Sequence, residues 1–237
     1  MSEFEPVNSA LNILWVISHP ELVSEKELSV YDVVFLASKS YPENSNFSRL
    51  RNLKYLPQAT DTSRFFPHPK NTAHQSKAIY VANSRKVDRT AARFARELGL
   101  ELEVYGQHWE GLIPDDWIKK EFITNSQLPN YYGNSTVVVN DHWGSQIEYG
   151  IASNRLFDVL ACNRKFLTDN IESIPTDLKP FVLGYTDSGS FEKGLKILLN
   201  NAEEIHNDLG QSSHEVVAKK HSFDSRVEEI LAVILST

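Results

Sequence analysis

The chain has 237 residues, of which 41% are hydrophobic and 23% are charged, a balance close to the globular average that excludes a mainly disordered, collagenous or coiled-coil protein. Its formal net charge of -7 provides no overall attraction to nucleic acid or to an anionic membrane, so neither is expected as a partner. The single cysteine, Cys162, excludes an internal disulfide and a cysteine-rich zinc module.

Neither end of the chain carries a targeting or spanning pattern. The N-terminus has no cationic segment followed by an apolar stretch, so no secretory signal is predicted. The longest apolar runs fall far short of the ~20 residues that a membrane-spanning helix needs. We therefore expect a cytoplasmic protein that is not an integral membrane protein.

Short apolar runs rich in β-branched and aromatic residues predict eight strands. They cover residues 12–18, 33–38, 53–56, 78–82, 102–105, 136–140, 165–168 and 181–184. Several runs are apolar on both faces, which is typical of parallel strands covered by helices on both sides. The fold class is therefore predicted to be α/β.

Amphipathic stretches between these runs predict four helices. The clearest covers residues 88–98, begins with Asp88 as a capping acid and ends at Gly99. The others cover residues 153–161, with Ser153 as N-cap, and residues 190–200 and 223–235.

Two prolines and a polar run interrupt the periodicity after Phe65, which indicates a domain boundary. We predict an N-terminal portion over residues 1–67 and a second domain over residues 68–237, whose last helix is a candidate for packing back on the first portion. Three strands make the N-terminal portion short for a complete doubly wound domain.

The most informative segment is a strand, a polar loop and a helix start over residues 138–162. Ligands of open parallel sheets bind beyond the carboxyl ends of strands, and a helix N-terminus attracts phosphate. Gly150 allows the backbone to approach a ligand closely, and Asp158 lies about a turn and a half into the helix. There a carboxylate can accept hydrogen bonds from two ribose hydroxyls, so the sequence favours a nucleotide site.

This segment resembles the donor-site motif of GT-B glycosyltransferases of the group 1 (family 4) type. The closest likeness is to the branch of CgeB-like proteins, which carries a similar Asn-Asp-His-Trp turn, a glycine and an Asn-Arg-Leu-Phe-Asp helix. Weaker agreement at residues 55–67, 80–89, 105–109 and 221–226 extends the resemblance to about residues 12–236. It implies a Rossmann-like parallel-sheet domain of the GT-B type, with a truncated second Rossmann-like portion at the N-terminus.

The resemblance also implies a nucleoside diphosphate sugar as donor substrate, held mainly by the C-terminal domain, with no cofactor and no metal. Asp158 takes the position of the ribose-binding acid, and fixed arginines would stabilise the charge that develops on the leaving diphosphate. The implied donor-binding residues are His142, Gly150, Ile151, Ser153, Asn154 and Asp158, and the implied catalytic residues are His19, Arg85 and Arg89. The family's reaction is retaining, with the leaving diphosphate as base, and the acceptor is not identified.

Two departures keep alternatives open. Gly150 stands eight residues before Asp158, where the motif has an acid, and the chain is shorter than a complete two-domain enzyme. A missing N-terminal domain or a partner chain would supply the rest of an acceptor site. The alternatives are a catalytically silent nucleotide-binding or scaffolding module and a nucleotide-sugar epimerase.

Individual residues also have simpler interpretations. Asp158 and the two arginines would be solvated on helix faces if no nucleotide binds. The pattern around Cys162 favours a buried small residue over a nucleophile.

Overall fold

The computed structural model describes residues 5–38, 40–41, 50, 52–68, 76–200 and 210–236. They divide into two units, which are treated separately below. The first comprises Met1–Gln58, His142–Ser153 and Glu172–Pro175, and the second comprises Ala59–Asp141, Asn154–Ile171 and Thr176–Thr237. The boundary predicted after residue 67 stays a prediction.

The elements follow one another in an alternating order. The strands are β1 (Ile13–Val16), β2 (Val33–Leu36), β3 (Leu53–Tyr55), β4 (Ser76–Val81), β5 (Glu103–Tyr105), β6 (Ile118–Lys120), β7 (Ser135–Val139), β8 (Lys165–Thr168) and β9 (Val182–Gly184). The α-helices are α1 (Glu25–Leu28), α2 (Thr90–Glu97), α3 (Leu128–Asn134), α4 (Gly144–Glu148), α5 (Asn154–Ala161), α6 (Ser188–Asn200), α7 (Ser213–Lys220) and α8 (Phe223–Leu235). Short 3₁₀ helices cover Pro20–Leu22, Asp115–Trp117, Ile171–Ser173 and Lys179–Phe181.

The first unit contains a three-stranded parallel sheet in the order β1-β2-β3. All four residues of the central strand β2 are buried, as expected for a parallel strand that is covered on both faces. Helix α1 begins after Ser24, whose side chain accepts the N–H of Glu27 and so caps the helix. Leu28 at the end of this helix packs with Val34 in the core of the unit.

The second unit contains a six-stranded parallel sheet in the order β6-β5-β4-β7-β8-β9. Counted from β4 as the first strand, this is the 3-2-1-4-5-6 order of doubly wound nucleotide-binding domains. The strand order reverses between β4 and β7, and ligands of such sheets bind beyond the carboxyl ends of the strands at this reversal. The predicted α/β parallel fold is therefore confirmed.

Small side chains on α2 allow this helix to lie close to the sheet. Ala91, Ala92 and Ala95 are fully buried and pack in one cluster with Tyr80 of β4 and Val139 of β7. Aromatic and leucine side chains of α6 complete the cluster. Helix α5 packs against α7 and β8.

All eight strands predicted from the sequence are confirmed, whereas the strand β6 and the helices α1, α3, α4 and α7 were missed. Strand β6 is an edge strand with two exposed lysines among its three residues, so it lacks a hydrophobic pattern. Helix α3 covers a segment that contains a proline and a glycine. Its buried Tyr132 and Gly133 show that tertiary packing stabilises a segment with weak helix propensity.

The predicted cap of α2 is wrong. The helix begins at Thr90, and Arg89 occupies the N-cap position without a side-chain cap. Asp88 pairs instead with Arg96, whose Nη2 lies 2.9 Å from a carboxylate oxygen. Ser153, by contrast, directly precedes α5, which starts at Asn154, so it occupies the predicted N-cap position. A capping hydrogen bond from its side chain stays a prediction.

The predicted end of α2 at Gly99 is confirmed. Gly99 has φ 64°, and the N–H of Leu100 donates to the carbonyl of Ala95 at 2.9 Å. This is the hydrogen bond of a Schellman motif, which needs a left-handed residue that glycine adopts without strain.

Within the described ranges, none of the helices combines the length and the apolar character that crossing a bilayer requires.

Gly106, which follows β5, tests how closely the backbone after β5 approaches the backbone after β4. It has φ 146°, and an added Cβ would lie 2.0 Å from the carbonyl oxygen of Ala82, so the backbone would have to move. We expect Gly106→Ala to lower the free energy of unfolding by at least about 2 kcal/mol, measured by urea denaturation. The matched control is Gly99→Ala, where nothing lies within 4 Å of the added Cβ and the loss should be about 1 kcal/mol. Equal losses would contradict the close approach at Gly106.

Candidate functional site

Buried hydrogen bonds fix the polar residues that follow β7. Asn140 is fully buried, and its Nδ2 donates to the Thr168 hydroxyl at 2.8 Å. Its carbonyl accepts the Tyr185 hydroxyl at 2.8 Å, and Arg155 of α5 donates to its Oδ1. Because each partner is satisfied in a low-dielectric environment, this part of the sheet edge is held rigidly.

Asp141 follows Asn140 and forms a buried ion pair with Arg89. The Nη2 of Arg89 donates to the Asp141 carboxylate and, at 3.1 Å, to its main-chain carbonyl. Only 7% of the Arg89 side chain and 1% of the Asp141 side chain are exposed. The helix dipole disfavours a cation at the start of α2, and within the described residues Asp141 provides a compensating anion.

The same carboxylate also replaces the missing N-cap of α2. It accepts the N–H of Ala91 at 3.3 Å and the hydroxyl of Tyr80. One side chain at the end of β7 thereby joins β4, β7 and the positive end of α2. The predicted contact of Arg89 with phosphate stays a prediction.

Arg85 lies in the turn after β4, beside the reversal of strand order. The residue is exposed and has φ 54°, and Lys86 after it has φ 63°. Left-handed backbone at a residue other than glycine is uncommon and costs about 1 kcal/mol or more, so it is typical of positions where the surrounding structure imposes it. Its predicted role toward the diphosphate stays a prediction.

Asp158 is a buried acid on α5, with 8% of its surface exposed. The Thr60 hydroxyl donates to its Oδ1 at 2.6 Å. Within the described part of the chain, Thr60 is the hydrogen-bond donor to this carboxylate. Burial raises the pKa of Asp158 to about 6, although the Thr60 hydrogen bond and the cations Arg155 and Arg64 oppose this shift. At neutral pH the group is therefore mostly ionised, at a cost in stability.

The loop between Asp141 and α5 belongs to the first unit. His142 is buried, and its Nε2 accepts the N–H of Ser153 at 3.1 Å. Two predicted donor-site residues are thus brought together by a hydrogen bond. Ile151 is also buried and forms an antiparallel bridge with Ser38.

Gly150 is required by the packing of the first unit itself. It has φ 62°, and an added Cβ would lie 2.4 Å from Oγ of Ser40. Ser40 also donates to the carbonyl of Tyr149 at 3.2 Å. The packing of the first unit therefore explains why residue 150 is a glycine. Its predicted close approach to a ligand stays a prediction.

His19 lies in the first unit, after β1. The residue is exposed, with φ 49°, and its Nδ1 lies 3.1 Å from a carboxylate oxygen of Glu21. Its predicted catalytic role stays a prediction.

The predicted residues fall into two sets. Those of the first unit are His19, His142, Gly150, Ile151 and Ser153, and those of the second are Arg85, Arg89, Asn154 and Asp158.

Sequence reasoning missed the partners of two of these residues. Asp141 and Thr60 are 52 and 98 positions from Arg89 and Asp158, so no local pattern reports the pairs. Cys162 is confirmed as a buried small residue, and burial raises the pKa of its thiol to about 12.

A comparison with family models identifies the family of the chain. The model described as "Glycosyl transferase-like" matches residues 85–232, so the chain belongs to this glycosyltransferase-like family. None of the curated protein sequences compared with it is significantly similar.

Solved structures of low sequence identity share the GT-B type of fold with this chain. Sucrose-phosphate synthase from Thermosynechococcus elongatus is 13% identical with a TM-score of 0.66, over 93% of this chain and 64% of that one. An alpha-glucosyltransferase in complex with UDP and a 13-mer DNA containing a HMU base is 11% identical with a TM-score of 0.66, over 94% and 71%. An alpha,alpha-trehalose-phosphate synthase (UDP-forming) from Burkholderia vietnamiensis is 9% identical with a TM-score of 0.58, over 89% and 63%. The chain thus spans less than two thirds of the first and third of these proteins.

Removing Asp141 should lower the free energy of unfolding far more than removing Asp88, the partly exposed partner of Arg96. Asp141→Ala leaves the Arg89 cation buried without this carboxylate, and we expect a loss of about 3–5 kcal/mol in the free energy of unfolding. Asp88→Ala breaks the partly exposed pair with Arg96 and should cost less than about 1 kcal/mol. Urea denaturation of both variants measures the difference, and similar small losses would contradict the role given to Asp141.

The pKa of Asp158 makes its contribution to stability depend on pH. Because the folded-state pKa is raised, the contribution is most favourable below the unfolded pKa of about 3.8 and is lost as the pH rises through about 6. We expect Asp158→Asn to be more stable than the wild type at pH 8 by up to roughly 3 kcal/mol, and the difference to vanish toward pH 4.

Thermal unfolding at pH 4 to 8 checks this expectation. The control is Asp187→Asn, because the exposed Asp187 accepts the N–H of Ser190 at 2.7 Å and hydrogen bonds lower its pKa. This variant should gain no stability at pH 8. An equal melting temperature of Asp158→Asn and the wild type at pH 8 would show that Asp158 is not destabilised by burial.

Proposed function

We propose that the chain is a glycosyltransferase, or the donor-binding part of one, that takes a sugar from a nucleoside diphosphate sugar. The observation that carries the proposal is the buried, ionisable carboxylate of Asp158. It lies within the residues that match the family model, on helix α5. This helix packs against a sheet with the strand order of nucleotide-binding domains.

The chemistry of Asp158 suits a ribose. An ionised carboxylate has about four acceptor positions, and the Thr60 hydroxyl occupies one of them. The vicinal hydroxyls of a ribose donate two further hydrogen bonds to the same group. Because burial disfavours the charged form, such donors are worth more here than on an exposed acid.

The diphosphate fits the positive groups near the start of helices. The first N–H groups of α5, which starts at Asn154, have no acceptor within the helix, and its N-terminus carries a partial positive charge. Arg85 supplies a guanidinium beside the reversal of strand order. Arg89 is tied to Asp141, so we assign it the role of a fixed charge at the start of α2.

The proposed reaction breaks the bond between the anomeric carbon and the diphosphate oxygen, and the electron pair leaves with the diphosphate. An acceptor oxygen forms the new bond to the anomeric carbon, and its proton passes to a base. In the retaining mechanism that we favour, a leaving diphosphate oxygen is this base. Prepositioned cations stabilise the charge that develops on the diphosphate without reorganisation.

Finer assignments rest on the sequence motif. The Asn-Asp-His-Trp turn and the helix that contains Asp158 favour the CgeB-like branch. We also propose a cytoplasmic enzyme, and its acceptor is not identified. Two of the similar structures carry UDP in their descriptions, which makes UDP the first nucleotide to test.

A catalytically silent nucleotide-binding or scaffolding module is the second candidate. It is favoured by Gly150, which stands where the motif has an acid and has a structural reason in its contact with Ser40. Such a module binds nucleotide or none, and releases no UDP from a UDP-sugar when candidate acceptors are supplied. The enzyme proposal requires release that depends on acceptor.

Calorimetric titration with UDP, GDP, ADP, CDP and TDP tests the donor site. We expect saturable binding of one of them and at least tenfold weaker binding by Asp158→Ala, because a hydrogen bond to a charged group contributes about 1.5–3 kcal/mol. Asp187→Ala, which removes an exposed acid at the start of α6, is the matched control and should leave the Kd unchanged. Folded protein that binds no nucleotide, or equal affinities in the wild type and Asp158→Ala, would overturn the proposal.

A further inference from the structure

We propose that Thr60 is a positioning residue for the ribose-binding carboxylate, and that the segment His221–Phe223 holds Thr60 in place. This inference rests on the proposed function, since it concerns the orientation of Asp158. It assigns a role to two segments that lie outside the donor-site motif of residues 138–162.

The Thr60 backbone is held from both sides. Its N–H donates to the carbonyl of His221 at 3.1 Å, and its carbonyl accepts the N–H of Phe223 at 3.1 Å. These bonds form a parallel bridge between Thr60 and Ser222. Thr60 is almost fully buried, so its side chain has a fixed origin and little freedom to turn away from Asp158.

A buried polar network holds the clamping segment. The Nε2–H of His221 lies 3.2 Å from both carboxylate oxygens of Asp177, and its Nδ1 accepts from Nη2 of Arg226 at 2.7 Å. Burial lowers the pKa of His221; Asp177 opposes this shift and Arg226 reinforces it. The imidazole is therefore neutral at pH 7 and joins the acid and the cation as a fixed spacer.

This network also contacts the helix that carries the acid. The ring centroids of His221 and Phe157 are 5.5 Å apart, and Phe157 precedes Asp158 on α5. The segment His221–Phe223 therefore contacts both sides of the hydrogen bond between Thr60 and Asp158. It holds the threonine through its backbone and contacts the helix of Asp158 through Phe157.

The surroundings of Asp158 give the Thr60 hydroxyl a distinct role. Arg155 on the same helix and Arg64 act on the carboxylate through their charge, and the ionisable groups of Cys162 and Tyr132 face it as well. The Thr60 hydroxyl donates directly to Oδ1 at 2.6 Å. It fixes the plane of the carboxylate and so the direction in which the second oxygen meets a ribose.

The test compares Thr60→Val, which removes the hydroxyl and keeps the branched shape, with Thr60→Ser, which keeps the hydroxyl. Thr136→Val on β7 is the matched control, since Thr136 is a half-buried threonine that belongs neither to α5 nor to the segments around Thr60 and His221–Phe223. Calorimetry from pH 5 to 8 with the nucleoside diphosphate that binds the wild type gives the Kd. Carbon-13 NMR gives the titration midpoint of the Asp158 carboxyl in the nucleotide-free protein.

We expect Thr60→Val to weaken binding about tenfold at pH 7 and to raise the Asp158 midpoint by roughly one pH unit or more. Thr60→Ser should restore most of both properties, and Thr136→Val should change neither. A merely structural role for Thr60 would lower stability without moving the midpoint. Thr60→Ala replaces Thr60→Val if the valine variant fails to fold.

The outcomes separate this inference from the proposed function. Loss of binding in Asp158→Ala together with wild-type affinity and midpoint in Thr60→Val overturns the positioning role alone. Equal affinity in the wild type and Asp158→Ala overturns the proposed function, and the NMR midpoint still decides whether Thr60 acts on the carboxylate.

Discussion

The Asp141 carboxylate connects more of the second unit than any local pattern suggests. It lies two residues after β7, neutralises the buried Arg89, accepts the Tyr80 hydroxyl of β4 and caps α2 through the N–H of Ala91. The two strands are those between which the strand order reverses. A single buried charge pair therefore keeps the positive end of a helix and the carboxyl ends of both strands in a fixed relation. Such preorganisation is what electrostatic stabilisation of a leaving group requires, because the cations do not have to move during the reaction.

Asp158 differs from Asp141 because its buried charge has fewer hydrogen-bond donors within the described residues. Asp141 has an arginine, a tyrosine and a helix N-terminus as partners, whereas Asp158 has one hydroxyl donor within the described residues and cations that act from their positions beside it. Its pKa of about 6 reflects this incomplete compensation. Groups that lower stability in the free protein often serve a ligand that supplies the missing partners. The contrast between the two aspartates is the physical basis for assigning structure to one and binding to the other.

The sequence predicts the sheet well because the buried parallel strands are continuous runs of β-branched and aromatic residues, such as Val33–Leu36 and Ser135–Val139. Through its place on the helix, the sequence also identifies Asp158 as a candidate ribose ligand, and this role stays a prediction. It does not predict the pairs Arg89–Asp141 and Thr60–Asp158, because topology rather than periodicity brings those residues together. The mistaken cap at Asp88 has the same cause, since the acid that caps α2 comes from the end of a distant strand. Edge strand β6 was missed because two of its three residues are exposed lysines, which leave no alternation of apolar and polar residues to detect.

The most direct test of the account is the ionisation of Asp158 with and without nucleotide. Carbon-13 NMR of the side-chain carboxyl over a pH titration reports it in the free protein and in the complex with UDP or whichever nucleoside diphosphate binds. The account predicts a midpoint near 6 in the free protein and a lower one in the complex, because ribose hydroxyls stabilise the ionised form. A midpoint that does not change at saturating nucleotide would contradict the claim that Asp158 binds the donor.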